Sequence, residues 1–139
     1  WARGGRGVSL EPGLTHSAEF VVADPLLTDL QGRRGARVLS TPGMIHKMER
    51  CAMALVAEAL GPDAITVGFE VCVKHVAAAR EGARCTAHAT LREVADGRKL
   101  RFDVEVREGE RTIGVGTHER RLVERSRFED EATAGGDGA

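Results

Sequence analysis

At 139 residues with a net charge of −1, the chain is long enough for one domain with a real core and carries no excess of positive charge. That balance excludes a general polyanion-binding surface, and five aromatic residues with no tyrosine (Trp1, Phe20, Phe69, Phe102 and Phe128) exclude a base-stacking platform, so no nucleic-acid partner is expected. No apolar run approaches the roughly 20 residues of a membrane-spanning helix and no signal-peptide pattern is present, so no membrane partner is expected either.

Residues 1–13 are rich in Gly and Arg and lack periodicity, which predicts a flexible lead-in; the chain opens on Trp1 rather than Met, so the natural start is expected upstream. From Leu14 the pattern alternates, with Leu14, His16, Ala18, Phe20 and Val22 on one side, and predicts a strand ended by Asp24-Pro25. Residues 26–37 hold a short apolar group (Leu26, Leu27, Leu30) and then Gly32-Arg33-Arg34-Gly35-Ala36-Arg37. This reads as a helical turn followed by a mobile basic loop.

Residues 40–60 read as the one long helix. Thr41 is the expected N-cap, Pro42 the first helical residue, and Gly61-Pro62 the stop, with Gly61 left-handed. One stripe runs Ile45, Glu49, Ala52, Val56 and Ala59, beside a row of Met44, Met48, Cys51 and Leu55. Glu49 thus occupies an apolar face where patterning asks for Leu or Ala. A carboxylate there is costly unless it is paired, hydrogen-bonded or functional. Helix geometry alone leaves an ion pair with an arginine and a catalytic role equally open.

A second strand begins near Ala64, with Val67, Phe69, Val71, Val73 and His75 predicted on the face toward the helix. Three more strands follow over residues 83–95, 98–107 and 111–123, joined by hairpins at Asp96-Gly97 and Glu108-Gly109. Residues 126–139 read as a disordered tail, leaving 14–125 as the folded domain. One helix on one antiparallel sheet is an α+β domain, and a helix wrapped by such a sheet is the hotdog architecture. Cys51, Cys72 and Cys85 are odd in number, lack metal-type spacing and lie within these elements; buried free thiols in a reducing, cytoplasmic setting are expected.

Thr41, Glu49 and His75 form the set of interest, because packing the helix on the sheet could bring hydroxyl, carboxylate and imidazole into one pocket. Val38-Leu39-Ser40-Thr41 through Met48-Glu49, then Gly68-Phe69-Glu70-Val71-Cys72-Val73-Lys74-His75, and Ile113-Gly114-Val115-Gly116-Thr117-His118-Glu119-Arg120 together resemble the fluoroacetyl-CoA thioesterase family of hotdog-fold enzymes. The resemblance covers roughly residues 14–125. It implies hydrolysis of an acyl thioester of CoA or of a carrier protein, with no cofactor and no metal, by a homodimer whose sheets pair edge to edge. It also implies catalytic roles for Thr41, Glu49 and His75 and places substrate-side roles at Gly68 and Arg120. Amides at Gly43 and Met44 are expected to be free at the helix start to receive an oxyanion, with the backbone at Gly68 as the alternative. The pattern departs from the family at Gly32-Arg33-Arg34-Gly35-Ala36. The member that hydrolyses fluoroacetyl-CoA has a phenylalanine-containing lid there, so a larger or more polar acyl group is expected.

Other constellations fare worse. His46 and Glu49 have metal-ligand spacing but no second such pair accompanies them. Gly114-Val115-Gly116 lies inside a strand pattern and is no phosphate loop; it permits close approach of a pantetheine arm or a neighbouring strand. Arg33, Arg34 and Arg37 read as a solvated loop, with contact to a CoA phosphate as the second reading. Against the hydrolase stand a non-catalytic hotdog domain that binds an acyl thioester or another small ligand, and a dehydratase on the same fold.

Overall fold

The computed structural model describes residues 9–29 and 37–123. The tail and the Gly32–Gly35 stretch therefore lie outside the described residues, as do residues 1–8 of the lead-in. Seven strands and one helix follow in the order β1 (Thr15–Val21), β2 (Leu27–Asp29), β3 (Arg37–Leu39), α1 (Thr41–Leu60), β4 (Ile65–His75), β5 (Arg84–Ala95), β6 (Lys99–Glu108) and β7 (Arg111–Val123). Five of these strands make one antiparallel sheet in the order β1-β5-β6-β7-β4, and α1 packs across its concave face against β5, β1, β6 and β4.

The core is the expected one. Met44, Met48, Cys51, Leu55 and Val56 of α1 meet Ala87, Ala89 and Leu91 of β5 and Leu100, Phe102, Val104 and Val106 of β6. The hairpin signal at Asp96-Gly97 holds: both residues take positive φ, 56° and 70°, and the Arg98 N–H closes the turn on the Ala95 carbonyl at 3.1 Å. Gly114 and Gly116 serve close packing, as a side chain at Gly114 would collide with Met44 and one at Gly116 with the backbone of β4. The neighbouring-strand reading of these glycines is thus the right one for Gly116.

Six expectations need correction. The helix is capped by Ser40, not Thr41: Ser40 is extended (φ −78°, ψ 156°) and its hydroxyl accepts the Gly43 N–H at 3.0 Å, leaving Thr41 inside the first turn with its hydroxyl unspent. Replacing Ser40 by Ala should cost about 1 kcal/mol in a denaturant titration, because that amide loses its acceptor. At the other end Gly61 does have positive φ (99°), but its ψ of 167° is extended rather than left-handed helical.

Residues 27–29 form no helical turn. They pair with β3 through Leu27↔Leu39, Thr28↔Val38 and Asp29↔Arg37. Arg37 is not a free loop cation: it meets Asp24 at 2.7 Å, Asp29 at 3.3 Å and Glu81 at 3.6 Å, and these carboxylates raise its pKa. Cys51 and Cys85 are buried as expected, but Cys72 is exposed on β4. Burial pushes the Cys51 thiol up to about 11, and it donates to the His16 carbonyl at 3.2 Å, which marks it as a packing residue.

The last correction matters most for the site. β4 does not keep one apolar face, because its register against β7 slips between Gly68 and Glu70. Before the slip Gly68 lies opposite Arg120 and Thr66 opposite Leu122; after it Val71 lies opposite His118, and His75 opposite Gly114. The extra residue at the slip is Phe69, which is 62% exposed and stacks under the Arg121 guanidinium at 3.7 Å. Phe69 and Val67 therefore share the outer face, while Gly68 turns toward the helix.

Candidate active site

Two clusters lie on the helix side of the sheet. At the start of α1, Thr41 Oγ1 is 2.8 Å from His75 Nδ1, so the first turn of the helix and the last residue of β4 are joined by a hydrogen bond. The cap at Ser40 makes this possible, since it satisfies the helix end without the Thr41 hydroxyl. His75 Nε2 is buried and has no hydrogen-bond partner among the described residues. Desolvation lowers the pKa of this imidazole; the Ala77 backbone offsets part of that effect without making a hydrogen bond of ordinary geometry.

Two helical turns further on, Glu49 sits at the margin of the apolar face with its side chain 36% exposed. Its Oε2 lies 3.8 Å from Arg120 Nη1, close enough for attraction but too far for a hydrogen bond. Arg120 is almost fully buried. Its Nε donates to Thr66 Oγ1 at 2.7 Å, its Nη2 to the Thr66 carbonyl at 3.1 Å, and its Nη1 to His118 Nε2 at 3.1 Å. Gly68 closes the cluster from β4, where a Cβ would come within 3.2 Å of Glu49 Oε2 and 3.6 Å of Arg120 Nη1. The glycine is therefore what lets the carboxylate lie against the sheet.

Of the residues singled out in the sequence, the fold joins Thr41 to His75 and Glu49 to Gly68 and Arg120, but it does not join the two sets within one chain. Gly68 and His75 are seven residues apart on β4, on the order of 20 Å. The free amides expected at Gly43 and Met44 are not free. Ser40 Oγ takes the first and the Ser40 carbonyl takes the second at 2.9 Å, while the Met44 side chain is fully buried in the core. His46 has no metal-binding partner set, as no group of three ligating side chains occurs among the described residues.

His118 was missed in the sequence, although its parity with Gly114, Gly116 and Arg120 was the available signal. It is 1% exposed, and burial lowers its pKa below the ordinary imidazole value. The unfolded chain thus takes up this proton at a higher pH than the folded one. The stabilising contribution is complete above about pH 6.5 and shrinks as the pH falls below it. Urea titrations should show lower stability at pH 5.5 than at pH 7.5, with the difference reduced in His118→Gln.

A helix wrapped by a five-stranded antiparallel sheet is the hotdog fold of the thioesterase superfamily. A solved member of that superfamily from Thermus thermophilus shares it at a TM-score of 0.79, with 95% of this chain and 96% of that one covered at 21% identity. The solved fluoroacetyl-CoA thioesterase FlK also superposes at a TM-score of 0.79, with 28% identity and 91% and 97% of the two chains covered. The profile of the fluoroacetyl-CoA-specific thioesterases matches residues 22–126, and the chain belongs to that family. The fluoroacetyl-CoA thioesterase of Streptantibioticus cattleyicolor is 36% identical over 91 residues, 66% of this chain; the match spans 65% of that relative's length.

Proposed function

We propose that this chain hydrolyses the thioester of a short acyl group carried by CoA or by a carrier protein, and that it does so as a homodimer in the cytoplasm. The observation that carries the reading is the Thr41–His75 pair with its buried, unpartnered Nε2. If Nδ1 accepts the Thr41 proton, Nε2 carries the ring hydrogen and requires an acceptor. Glu49 is the carboxylate of the site, and it has unspent oxygens.

Edge-to-edge pairing of two β4 strands supplies the missing geometry. β4 ends the sheet, and it exposes Phe69, Val71 and Cys72 along that edge. Two antiparallel copies paired about a point between Gly68 and His75 carry the Glu49 cluster of one chain against the Thr41–His75 pair of the other. A carboxylate brought to Nε2 restores the basicity that burial removes from His75.

His75 then draws the proton from the attacking oxygen, that of Thr41 or of a water beside it, and the Glu49 charge steadies the imidazolium that forms. The oxygen adds to the thioester carbonyl, the C–S bond breaks, and the departing thiolate takes the proton from His75, which returns the ring to its neutral form. A threonyl ester, where one forms, is cleared by water activated in the same way. Arg120 and Gly68 shape the pocket around the carboxylate.

A thiol-release assay with a panel of short acyl-CoAs tests this directly. Release of CoA is expected; binding without release would establish the non-catalytic binder, and hydration of enoyl thioesters without thiol release the dehydratase. Substrate choice follows from Gly32-Arg33-Arg34-Gly35, which contains no aromatic side chain. Fluoroacetyl-CoA should show no marked advantage over acetyl-CoA in kcat/KM, and larger or more polar acyl groups should be accepted. A preference for the fluorinated substrate by several orders of magnitude would overturn that inference.

A further inference from the structure

His118 sits between two partners that each permit only one kind of hydrogen bond. Its Nδ1 is 2.8 Å from the Glu70 carbonyl, which can only accept, and its Nε2 is 3.1 Å from Arg120 Nη1, which can only donate. The ring is therefore the neutral tautomer with hydrogen on Nδ1 and a lone pair on Nε2. The Glu70 carbonyl becomes available at this point because the register of β4 slips between Gly68 and Glu70, so the bulge and the histidine define each other.

Around the ring, α1 contributes Glu49, β7 contributes Arg120, β4 contributes the Glu70 carbonyl, and β6 contributes Phe102, stacked at 6.2 Å between ring centroids. An imidazolium would turn an N–H toward the guanidinium and lose the acceptor that Arg120 uses. With His118 neutral, the histidine and Thr66 hold three of the Arg120 N–H donors. The guanidinium is then fixed at 3.8 Å from Glu49, where its charge acts on the carboxylate without consuming an oxygen.

We propose that His118 is a positioning residue for hydrolysis: by accepting from Arg120 it sets the distance at which Arg120 steadies Glu49 and leaves that carboxylate free to act. The inference rests on the thioesterase reading of the site. It makes the β4 bulge, His118, Arg120 and Glu49 one continuous support, each member touching the next.

The experiment has two arms. In the kinetic arm, His118→Leu removes the acceptor and His118→Gln replaces it, each in the native background and with Glu49→Gln. His118→Leu should lower kcat by roughly 10–100-fold with KM within about threefold, and should cost less than about threefold once Glu49 is already Gln. His118→Gln should recover most of kcat. Unchanged kcat in His118→Leu, no recovery in His118→Gln, or an undiminished loss in the Glu49→Gln background would overturn the proposal.

In the second arm, nitrogen NMR of the native protein should show His118 protonated at Nδ1 near neutral pH. It should also show a protected Arg120 Nη1–H signal, and that protection should disappear in His118→Leu while the Nε–H, held by Thr66, keeps its own. Protonation at Nε2 would overturn the proposal even if the variants fail to fold. If the native protein hydrolyses no thioester, the reading of the site fails, while the NMR arm still decides whether His118 holds Arg120.

Discussion

Glu49→Gln is expected to lower turnover by roughly 10²–10⁴ while the fold survives, because the amide keeps the shape of the side chain and loses its charge and basicity. The structure explains why stability should barely change. Glu49 stands at the margin of the helix face, 36% exposed, and its contact with Arg120 at 3.8 Å is an attraction rather than a hydrogen bond. Arg120 keeps its bonds to Thr66 and His118 whether or not the carboxylate is charged. Circular dichroism, thermal melting and thiol release on one preparation check all of this. A variant that unfolds makes Glu49 a structural ion-pair partner, and near-normal hydrolysis removes it from the chemistry.

The second large effect is expected at His75. Replacement by Ala takes away the partner of the Thr41 hydroxyl, and turnover should fall by roughly 10²–10³. The cost in stability should be modest, about 1 kcal/mol for the lost bond to Thr41, since Nε2 has no partner among the described residues of its own chain. The oligomer should remain intact by size-exclusion chromatography. A His75→Ala protein that is both more stable and equally active would show that the imidazole is an ordinary core group.

These two residues were legible in the sequence for different reasons. Glu49 broke the apolar periodicity of a long helix, and His75 ended an alternating strand, so both could be placed before any coordinates. The neighbour expected for His75 was Glu49, whereas within the chain its partner is Thr41, whose hydroxyl the cap at Ser40 leaves available. What sequence could not give was the register slip at Phe69. Alternation continued through it would send Phe69 inward and Gly68 outward, whereas the bulge reverses both. Gly68 therefore reaches Glu49 by a backbone irregularity that no residue pattern announces.

The helix cap shows a similar limit. Ser40 and Thr41 are both good caps, and only the extended backbone at Ser40 decides that it takes the amide and leaves Thr41 for His75. Arg37 looked like one more loop cation until the fold placed Asp24, Asp29 and Glu81 around it. Long-range pairings of this kind depend on which elements end up adjacent. His118 was hidden for the same reason, as its two partners are a carbonyl of β4 and a side chain of its own strand.

The proposed arrangement requires Glu49 and the Thr41–His75 pair to act from different chains of a homodimer, and co-expression of Glu49→Gln with His75→Ala tests that most directly. Random assembly makes half of the dimers mixed, and each mixed dimer has one site built from two intact halves. The purified mixture should then recover about a quarter of native activity, far above either variant alone. Activity no greater than the sum of the two separate variants would contradict the account and place all three groups in one chain's own site.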